Sequence, residues 1–163
     1  MSDSVRVMTA ADLALVLEWR NHPDVRSCML SQLEISLEEH RQWFDRSLET
    51  DSKRLLIFEN EAEPMGFVSF NLAGGGVSEW GFYVRPHAPK GTGTQLGIAA
   101  IRYGFDDLKL QKICGRVLGG NDRSIRFHEK LGFKREGVLR EHHFDSGHYQ
   151  DIVCFGLLRR EWK

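Results

Sequence analysis

The sequence has few cysteines, little net charge and no long apolar run, and each shortage excludes a class of protein. Its three cysteines are odd in number and far apart, which favours reduced thiols over a disulfide framework. A formal charge of −1 gives no electrostatic signature of nucleic-acid or lipid binding. No stretch approaches the roughly 20 apolar residues of a membrane span. The N-terminal MSDSVRV also lacks the apolar core of a signal peptide. We therefore expect a cytoplasmic protein that binds neither nucleic acid nor membrane.

Common nucleotide and metal motifs are also missing. The P-loop pattern does not occur, and the dinucleotide pattern that would start at Gly91 has Leu96 in place of its third glycine. Histidines cluster within residues 142–148, but neighbouring strand residues such as His142 and His143 point to opposite faces. Neither an HExxH motif nor a cysteine pair is present. We predict no metal cofactor.

What the sequence does contain is a strand, a glycine-containing loop and a long amphipathic helix, within residues 79–108. Residues 79–84 are aromatic and β-branched, as in a strand, and the apolar residues after the loop recur on one helical face. First-turn amides of a helix have no intrahelical acceptor and attract anions. Because glycine lets a phosphate approach them closely, this pattern predicts a pyrophosphate site. The alternative is a flexible helix entry; the residues concerned are Lys90, Gly91, Thr92, Gly93 and Thr94.

The remaining chain predicts one α/β domain over residues 1–163. Helix caps are expected at Thr9, Ser36 and Asn121, and tight hairpin turns at residues 74–76 and 145–147. The predicted order is β-α-α-β-β-β-α-β-α-β-β. It corresponds to a mixed, twisted sheet of about seven strands flanked by about four helices.

Two motifs in this order resemble the GNAT N-acetyltransferases: PKGTG after a strand, and NDRSIRFHEKLGF about thirty residues later. The resemblance covers essentially the whole chain. It implies acetyl-CoA as co-substrate, with no metal, and the family's fold. One departure is Ala88, where the family usually has Arg or Gln, so Lys90 is expected to supply the charge at the pyrophosphate. Because many members are dimers, a homodimer is one expectation.

Three further segments resemble a narrower branch of the superfamily: EWRNHPDVR, ISLEEHRQWF and LREHHFDSGHYQDIVCFGLLRREW. That branch acetylates the 4-amino group of UDP-4-amino-4,6-dideoxy-N-acetyl-β-L-altrosamine, a step of pseudaminic acid biosynthesis used in flagellin glycosylation. The resemblance implies the same nucleotide-sugar substrate here. The alternatives are acetylation of a protein N-terminus, a polyamine or another small amine, and a non-catalytic acyl-CoA-binding sensor.

The resemblance also implies roles at the cofactor. An amide near Tyr83 and Val84 would face the thioester oxygen, and Asn121 would bind the pantetheine arm or act only as a helix cap. His128 stands where the family most often has a tyrosine that protonates the departing thiolate. We therefore predict His128 as general acid, the alternative being a histidine packed beside Phe127.

For the acceptor amine, two residues are candidate bases. Glu79 starts the strand before the loop, where the superfamily often places a carboxylate acting through water, and His40 lies on the second helix. Each is equally interpretable as an ordinary surface residue. Aromatic, thioether and guanidinium groups suit a uracil and a diphosphate. The predicted acceptor residues are Arg20, Asn21, His22, Met29 and Trp43, of which Trp43 is more typical of core.

Overall fold

The protein is built on one seven-stranded sheet, seen in a computed structural model that describes residues 2–163. Met1, the first residue of the predicted domain, lies outside the described residues. The strand order is β1-β2-β3-β4-β5-β7-β6. All neighbouring pairs are antiparallel except β4 and β5, so the sheet is mixed as predicted. The strands are β1 Asp3–Val7, β2 Lys53–Asn60, β3 Glu63–Gly74, β4 Val77–Val84, β5 Lys112–Leu118, β6 Lys134–Asp145 and β7 His148–Leu158.

Five α-helices flank this sheet within residues 2–163, one more than predicted. The additional one is the single turn α2, which lies between the two helices predicted before the second strand. Pro23 starts it at a position where a missing N–H costs nothing. The helices are α1 Leu13–Asn21, α2 Pro23–Arg26, α3 Leu37–Leu48, α4 Thr92–Asp106 and α5 Asp122–Lys130. None of the helices within residues 2–163 has the length and apolarity to cross a bilayer.

The predicted caps at Ser36 and Asn121 and the predicted turns are present, whereas Thr9 precedes a short 3₁₀ helix and makes no side-chain cap hydrogen bond. Ser36 accepts from the amide of Glu39 at 3.1 Å, and Asn121 accepts from that of Ser124 at 3.1 Å. The glycines of 74–76 all have positive φ, as tight turns require. These local signals set where α3, α5 and the β3–β4 hairpin begin and end.

The sheet separates two apolar cores, because successive strand side chains point to opposite faces. In β2, Leu56 and Phe58 pack with α4 on one face, whereas Leu55 and Ile57 pack with α1 and α3 on the other. We call these the α4 face and the α1–α3 face. In β4, Trp80 belongs to the first and Tyr83 to the second, so one strand contributes to both. The site described below lies where β4 reaches both faces.

Candidate active site

The feature that organises the site is a gap between β4 and β5. These parallel strands pair only from Val77 to Glu79 on the β4 side, although β4 continues to Val84 and β5 to Leu118. Past Glu79 the backbone groups of β4 that face β5 are therefore left without a ladder on that side. On its other side β4 remains paired with β3 in a regular register from Gly66 to Leu72. The gap is open to a peptide-like ligand that can hydrogen-bond β4.

The start of α4 lies beside the open end of this gap. Gly91 is the N-cap of α4 and has φ +92°, a conformation that favours glycine. A Cβ at Gly93 would lie 3.8 Å from Val84 and 4.0 Å from Phe127, so the helix start adjoins both β4 and α5. Thr92 is buried and its hydroxyl donates to the carbonyl of Pro89 at 2.6 Å, which fixes the loop internally. The gap and the helix start thus form one continuous surface.

The other residues of the predicted pyrophosphate site differ in exposure. Lys90 is exposed and Thr94 half-buried, so both can reach a ligand from outside. The Ala88 side chain packs against the core of the α4 face. The Thr92 amide already donates to the Pro89 carbonyl at 3.1 Å, so the amides of Gly93 and Thr94 and the Lys90 ammonium are the donors available to an anion here.

His128 fills the inner end of the gap, and both of its ring nitrogens are occupied. Nδ1 lies 2.8 Å from the Ser124 carbonyl, which can only accept, so Nδ1 carries the proton. Nε2 accepts from the indole N–H of Trp80 at 3.1 Å. The residue is 2% exposed, and burial lowers the pKa of its imidazole. In this arrangement neither ring nitrogen has an N–H free for a thiolate.

The space for this histidine comes from Gly115 on β5. A Cβ there would lie 2.6 Å from His128 Nε2 and 3.1 Å from Trp80 Nε1. The ring also stacks on Phe155, with centroids 5.1 Å apart. His128 therefore joins α5, β4 and β7 at the point where β4 and β5 separate, which matches the packed alternative beside Phe127.

Of the two candidate bases, Glu79 lies closer to the gap. It is the last residue of β4 paired with β5, and its side chain is on the same face as Gly81 and Tyr83. Its carboxylate lies 3.1 Å from the Arg116 guanidinium, and both side chains are about half exposed (48% and 47%). Water can therefore reach the carboxylate, as a water-mediated proton transfer requires.

His40 is buried on the α1–α3 face instead. It is 3% exposed, and its ring stacks on Trp43 with the ring centroids 5.2 Å apart. The Trp43 ring in turn contacts Phe67 (centroids 5.9 Å apart), and Phe67 contacts Tyr83 (5.1 Å). Two rings thus separate His40 from the strand that borders the gap. Burial lowers the pKa of His40, and a hydrogen bond to the backbone of Leu13 only partly opposes this. His40 Nε2 has no hydrogen-bond partner within residues 2–163.

Arg20 is a buried cation that no carboxylate neutralises within the described part of the chain. It is 7% exposed, Nη2 donates to the Ser31 carbonyl at 2.6 Å, and Nη1 has no partner in residues 2–163. Burial lowers the pKa of Arg20, and interaction with the Tyr83 phenol opposes the shift. Burial raises the pKa of Tyr83, and Arg20 opposes that rise. The two side chains thus influence each other beside the open half of β4.

The other predicted acceptor residues mainly shape this corner. Asn21 donates to the Ile35 carbonyl at 2.7 Å and accepts from its amide at 2.8 Å, so it closes the segment between α1 and α3. His22 Nδ1 accepts from the Asp24 amide at 3.1 Å and caps α2. Met29 lies half-buried in the closed segment. Sequence reasoning placed these residues together but missed that Asn21 and His22 are engaged by the backbone.

The position of the Tyr83 side chain is a feature of the site that sequence reasoning missed. It entered the predicted site for its amide alone, yet its phenol lies beside Arg20 and Phe67 on the α1–α3 face. Strand alternation along Glu79, Gly81 and Tyr83 was the available signal. To use this signal, however, one has to know the β3–β4 register.

The sequence matches the family described as Acetyltransferase (GNAT) domain over residues 4–134. The SPbeta prophage-derived uncharacterized N-acetyltransferase YokL of Bacillus subtilis is 33% identical over 131 residues, which cover 78% of this chain and 74% of the relative. The acetyltransferase PseH of Campylobacter jejuni is 25% identical over 126 residues, covering 77% and 79%.

Among solved structures, the spermidine N-acetyltransferase of Vibrio cholerae in complex with CoA and spermine superposes with a TM-score of 0.90. The two chains are 24% identical, and the alignment covers 98% of this chain and 96% of the other. This likeness confirms the predicted single-domain fold.

Proposed function

The chain belongs to the GNAT acetyltransferases, and we propose that it acetylates the 4-amino group of UDP-4-amino-4,6-dideoxy-N-acetyl-β-L-altrosamine. As a family member it is an acetyl-CoA-dependent N-acetyltransferase. The proposal concerns the acceptor, which is also the sugar nucleotide implied by the resemblance to the pseudaminic acid branch. The similarity to PseH, at 25% identity, supports the proposal of this acceptor.

The observation that carries the proposal is the unneutralised guanidinium of Arg20. A buried charge without a partner is costly, and such charges in proteins are normally paired or bind a ligand. A guanidinium also matches the geometry of phosphate oxygens, which accept two parallel N–H donors. Arg20 Nη1 is buried and unpaired among residues 2–163, so an anion is the group that would complete it. The diphosphate of a UDP-sugar supplies that anion.

The ring system next to Arg20 suits the remainder of such a ligand. Trp43, Phe67 and Tyr83 form a continuous row of ring contacts on the α1–α3 face. Tyr83 and Trp43 are half-buried, so each presents part of its ring to the surface. Aromatic faces of this kind stack on planar bases. We assign the uracil to the Trp43 end of this row, away from Tyr83, and the diphosphate to Arg20.

The same charge weighs against the polyamine alternative. Some curated relatives and structural neighbours are described as spermidine acetyltransferases, at 23–24% identity. A polyamine is a polycation, and a buried arginine at its site would repel it. Glu79, the carboxylate nearest the gap, is already paired with Arg116.

In the mechanism we propose, acetyl-CoA lies in the gap with its thioester at the open half of β4. An amide near Tyr83 or Val84 stabilises the oxygen as charge develops, which typically contributes about 3 kcal/mol. Glu79 accepts the amine proton through water. Because His128 has no free N–H, we assign protonation of the thiolate to the Tyr83 phenol, which burial keeps protonated.

A thiol-release assay tests the acceptor. Wild-type protein with acetyl-CoA is offered the UDP-aminosugar, spermidine and an N-terminal peptide, and we expect the sugar nucleotide to give the highest kcat/KM. Arg20→Met should raise its KM about 10- to 100-fold, the value of a charge-assisted contact, and leave CoA binding intact. Arg26→Met is the matched control, because Arg26 lies on the neighbouring helix α2 and is already ion-paired with the exposed Glu34 at 3.4 Å.

Two other results would contradict the proposal. Faster turnover of spermidine would favour the polyamine function. No turnover of any amine with CoA still bound would favour the sensor.

A further inference from the structure

One group of metal-ligating side chains comes together beside the proposed acceptor site, and it includes His22, a predicted acceptor residue to which the proposed mechanism assigns no role. His22 and Asp24 lie at the start of α2, and His87 lies in the loop between β4 and α4, 65 positions after His22. One potential ligand atom from each lies within 4.8 Å of the others, and residues 2–163 contain no second group of this kind. The two imidazoles meet edge to face, with centroids 5.6 Å apart, and His22 Nδ1 lies 3.8 Å from Asp24 Oδ2.

The distances require only a small adjustment to hold an ion. Zinc bonds to nitrogen and oxygen at about 2.0–2.2 Å, so tetrahedral ligand atoms lie roughly 3.3–3.5 Å apart. The three atoms therefore need to approach by at most about 1.5 Å. Asp24 and His87 are exposed and His22 is half-buried, so side-chain rotation at the surface can supply this movement.

The donor set selects the class of ion. Two imidazoles and one carboxylate suit Zn²⁺ and similar transition metals, whereas Mg²⁺ and Ca²⁺ prefer oxygen ligands alone. His22 Nδ1 already accepts from the Asp24 amide at 3.1 Å. An ion that uses this nitrogen has to displace that hydrogen bond, so we expect micromolar rather than nanomolar affinity.

We propose that His22, Asp24 and His87 form a binding site for a divalent transition metal, with water as the fourth ligand. The ion would connect the α1–α2 corner, which carries Arg20, to the loop that leads into the α4 N-terminus. His87 has φ +61°, so its loop holds a backbone conformation that is uncommon outside glycine. Metal binding would join the acceptor side and the cofactor side of the site.

The test is Zn²⁺ binding to the full chain without an affinity tag, measured by competition with a chromophoric chelator. We expect one equivalent to bind, and Co²⁺ to give the visible absorption of a low-coordinate site. His22→Ala and His87→Ala should each weaken binding at least 10-fold. His142→Ala and His148→Ala, which remove exposed hairpin histidines, are matched controls and should not.

Circular dichroism and CoA titration verify that each variant is folded, and neither depends on the identity of the acceptor. The proposal is overturned if wild-type protein binds no Zn²⁺. It is also overturned if binding survives both His22→Ala and His87→Ala, or is lost with the hairpin histidines.

Discussion

The two faces of the sheet treat their buried polar groups differently. On the α4 face, His128 is buried with both ring nitrogens hydrogen-bonded to Ser124 and Trp80. On the α1–α3 face, His40 and Arg20 are equally buried, yet each keeps one nitrogen without a partner within residues 2–163. Proteins rarely leave buried polar atoms unpaired unless a ligand or water completes them. The comparison shows that the fold itself satisfies the buried histidine of the α4 face, whereas two buried nitrogens of the α1–α3 face have no partner among residues 2–163.

The largest effect expected from this comparison is on chemistry at the border between the faces. Glu79→Gln removes the proposed base, and general-base catalysis typically contributes about 100-fold or more to kcat. We therefore expect kcat to fall by that amount while the affinity for CoA stays within about twofold, a change below 0.5 kcal/mol. Steady-state thiol release measures the first and calorimetry the second.

Glu136→Gln is the matched control, because Glu136 is also ion-paired, with Lys112 at 2.9 Å. If both variants lose activity equally, the effect is electrostatic and general. Glu79 is then not the base.

A smaller effect is expected at the cofactor side. Gly91→Val places a β-branched residue at φ +92°, where strain of about 1–3 kcal/mol pushes the helix start out of position. CoA affinity measured by calorimetry should fall by about 5- to 150-fold. Gly147→Val imposes similar strain at φ +81° in the β6–β7 turn, and should leave the affinity unchanged. Equal CoA affinity of Gly91→Val and wild type would move the pyrophosphate elsewhere.

The next prediction separates stability from catalysis at His128. His128→Phe leaves the indole N–H of Trp80 and the carbonyl of Ser124 without their partner, at a cost of about 1–3 kcal/mol each at most. Chemical denaturation should show this loss in the free energy of unfolding. Well below the unfolding transition, kcat should stay within about threefold of wild type, a barrier change under 1 kcal/mol.

The exposed His142→Phe is the control for stability. A folded His128→Phe protein with kcat reduced more than 100-fold would restore His128 as a catalytic residue.

The smallest expected effect is a pH dependence of stability. Burial lowers the pKa of both His128 and His40, so the unfolded chain binds protons near pH 6.5 that the folded chain does not. The free energy of unfolding is therefore highest above about pH 6.5, where neither histidine is protonated in the unfolded chain. Below that pH it falls by at most about 1.4 kcal/mol per pH unit for each histidine. Urea denaturation between pH 7 and 5 should show that the free energy of unfolding depends less steeply on pH in His128→Phe than in wild type. Parallel slopes would mean that folding does not lower the pKa of His128.

Local sequence signals were sufficient to predict the helices of the α4 face. The cap at Asn121, the glycine at the start of α4 and the apolar period of that helix all lie within a few residues of the structure they specify. The hydrogen bond between His128 and Trp80 could not be predicted, because the two residues are 48 positions apart and a hydrogen bond at that separation leaves no local pattern. The same holds for Arg20 beside Tyr83, and for His22 beside His87. The short helix α2 was missed because four residues carry too little periodicity.

The most direct measurement of the two-face account is an amide NMR titration of the wild-type protein with CoA, followed by UDP. We predict that CoA shifts the amides of 83–84 and 91–94. UDP should then shift residues around Arg20 and Trp43, with no overlap beyond Tyr83. If CoA instead perturbs the α1–α3 segment and leaves 91–94 unchanged, the cofactor does not lie in the gap between β4 and β5, and the account is contradicted.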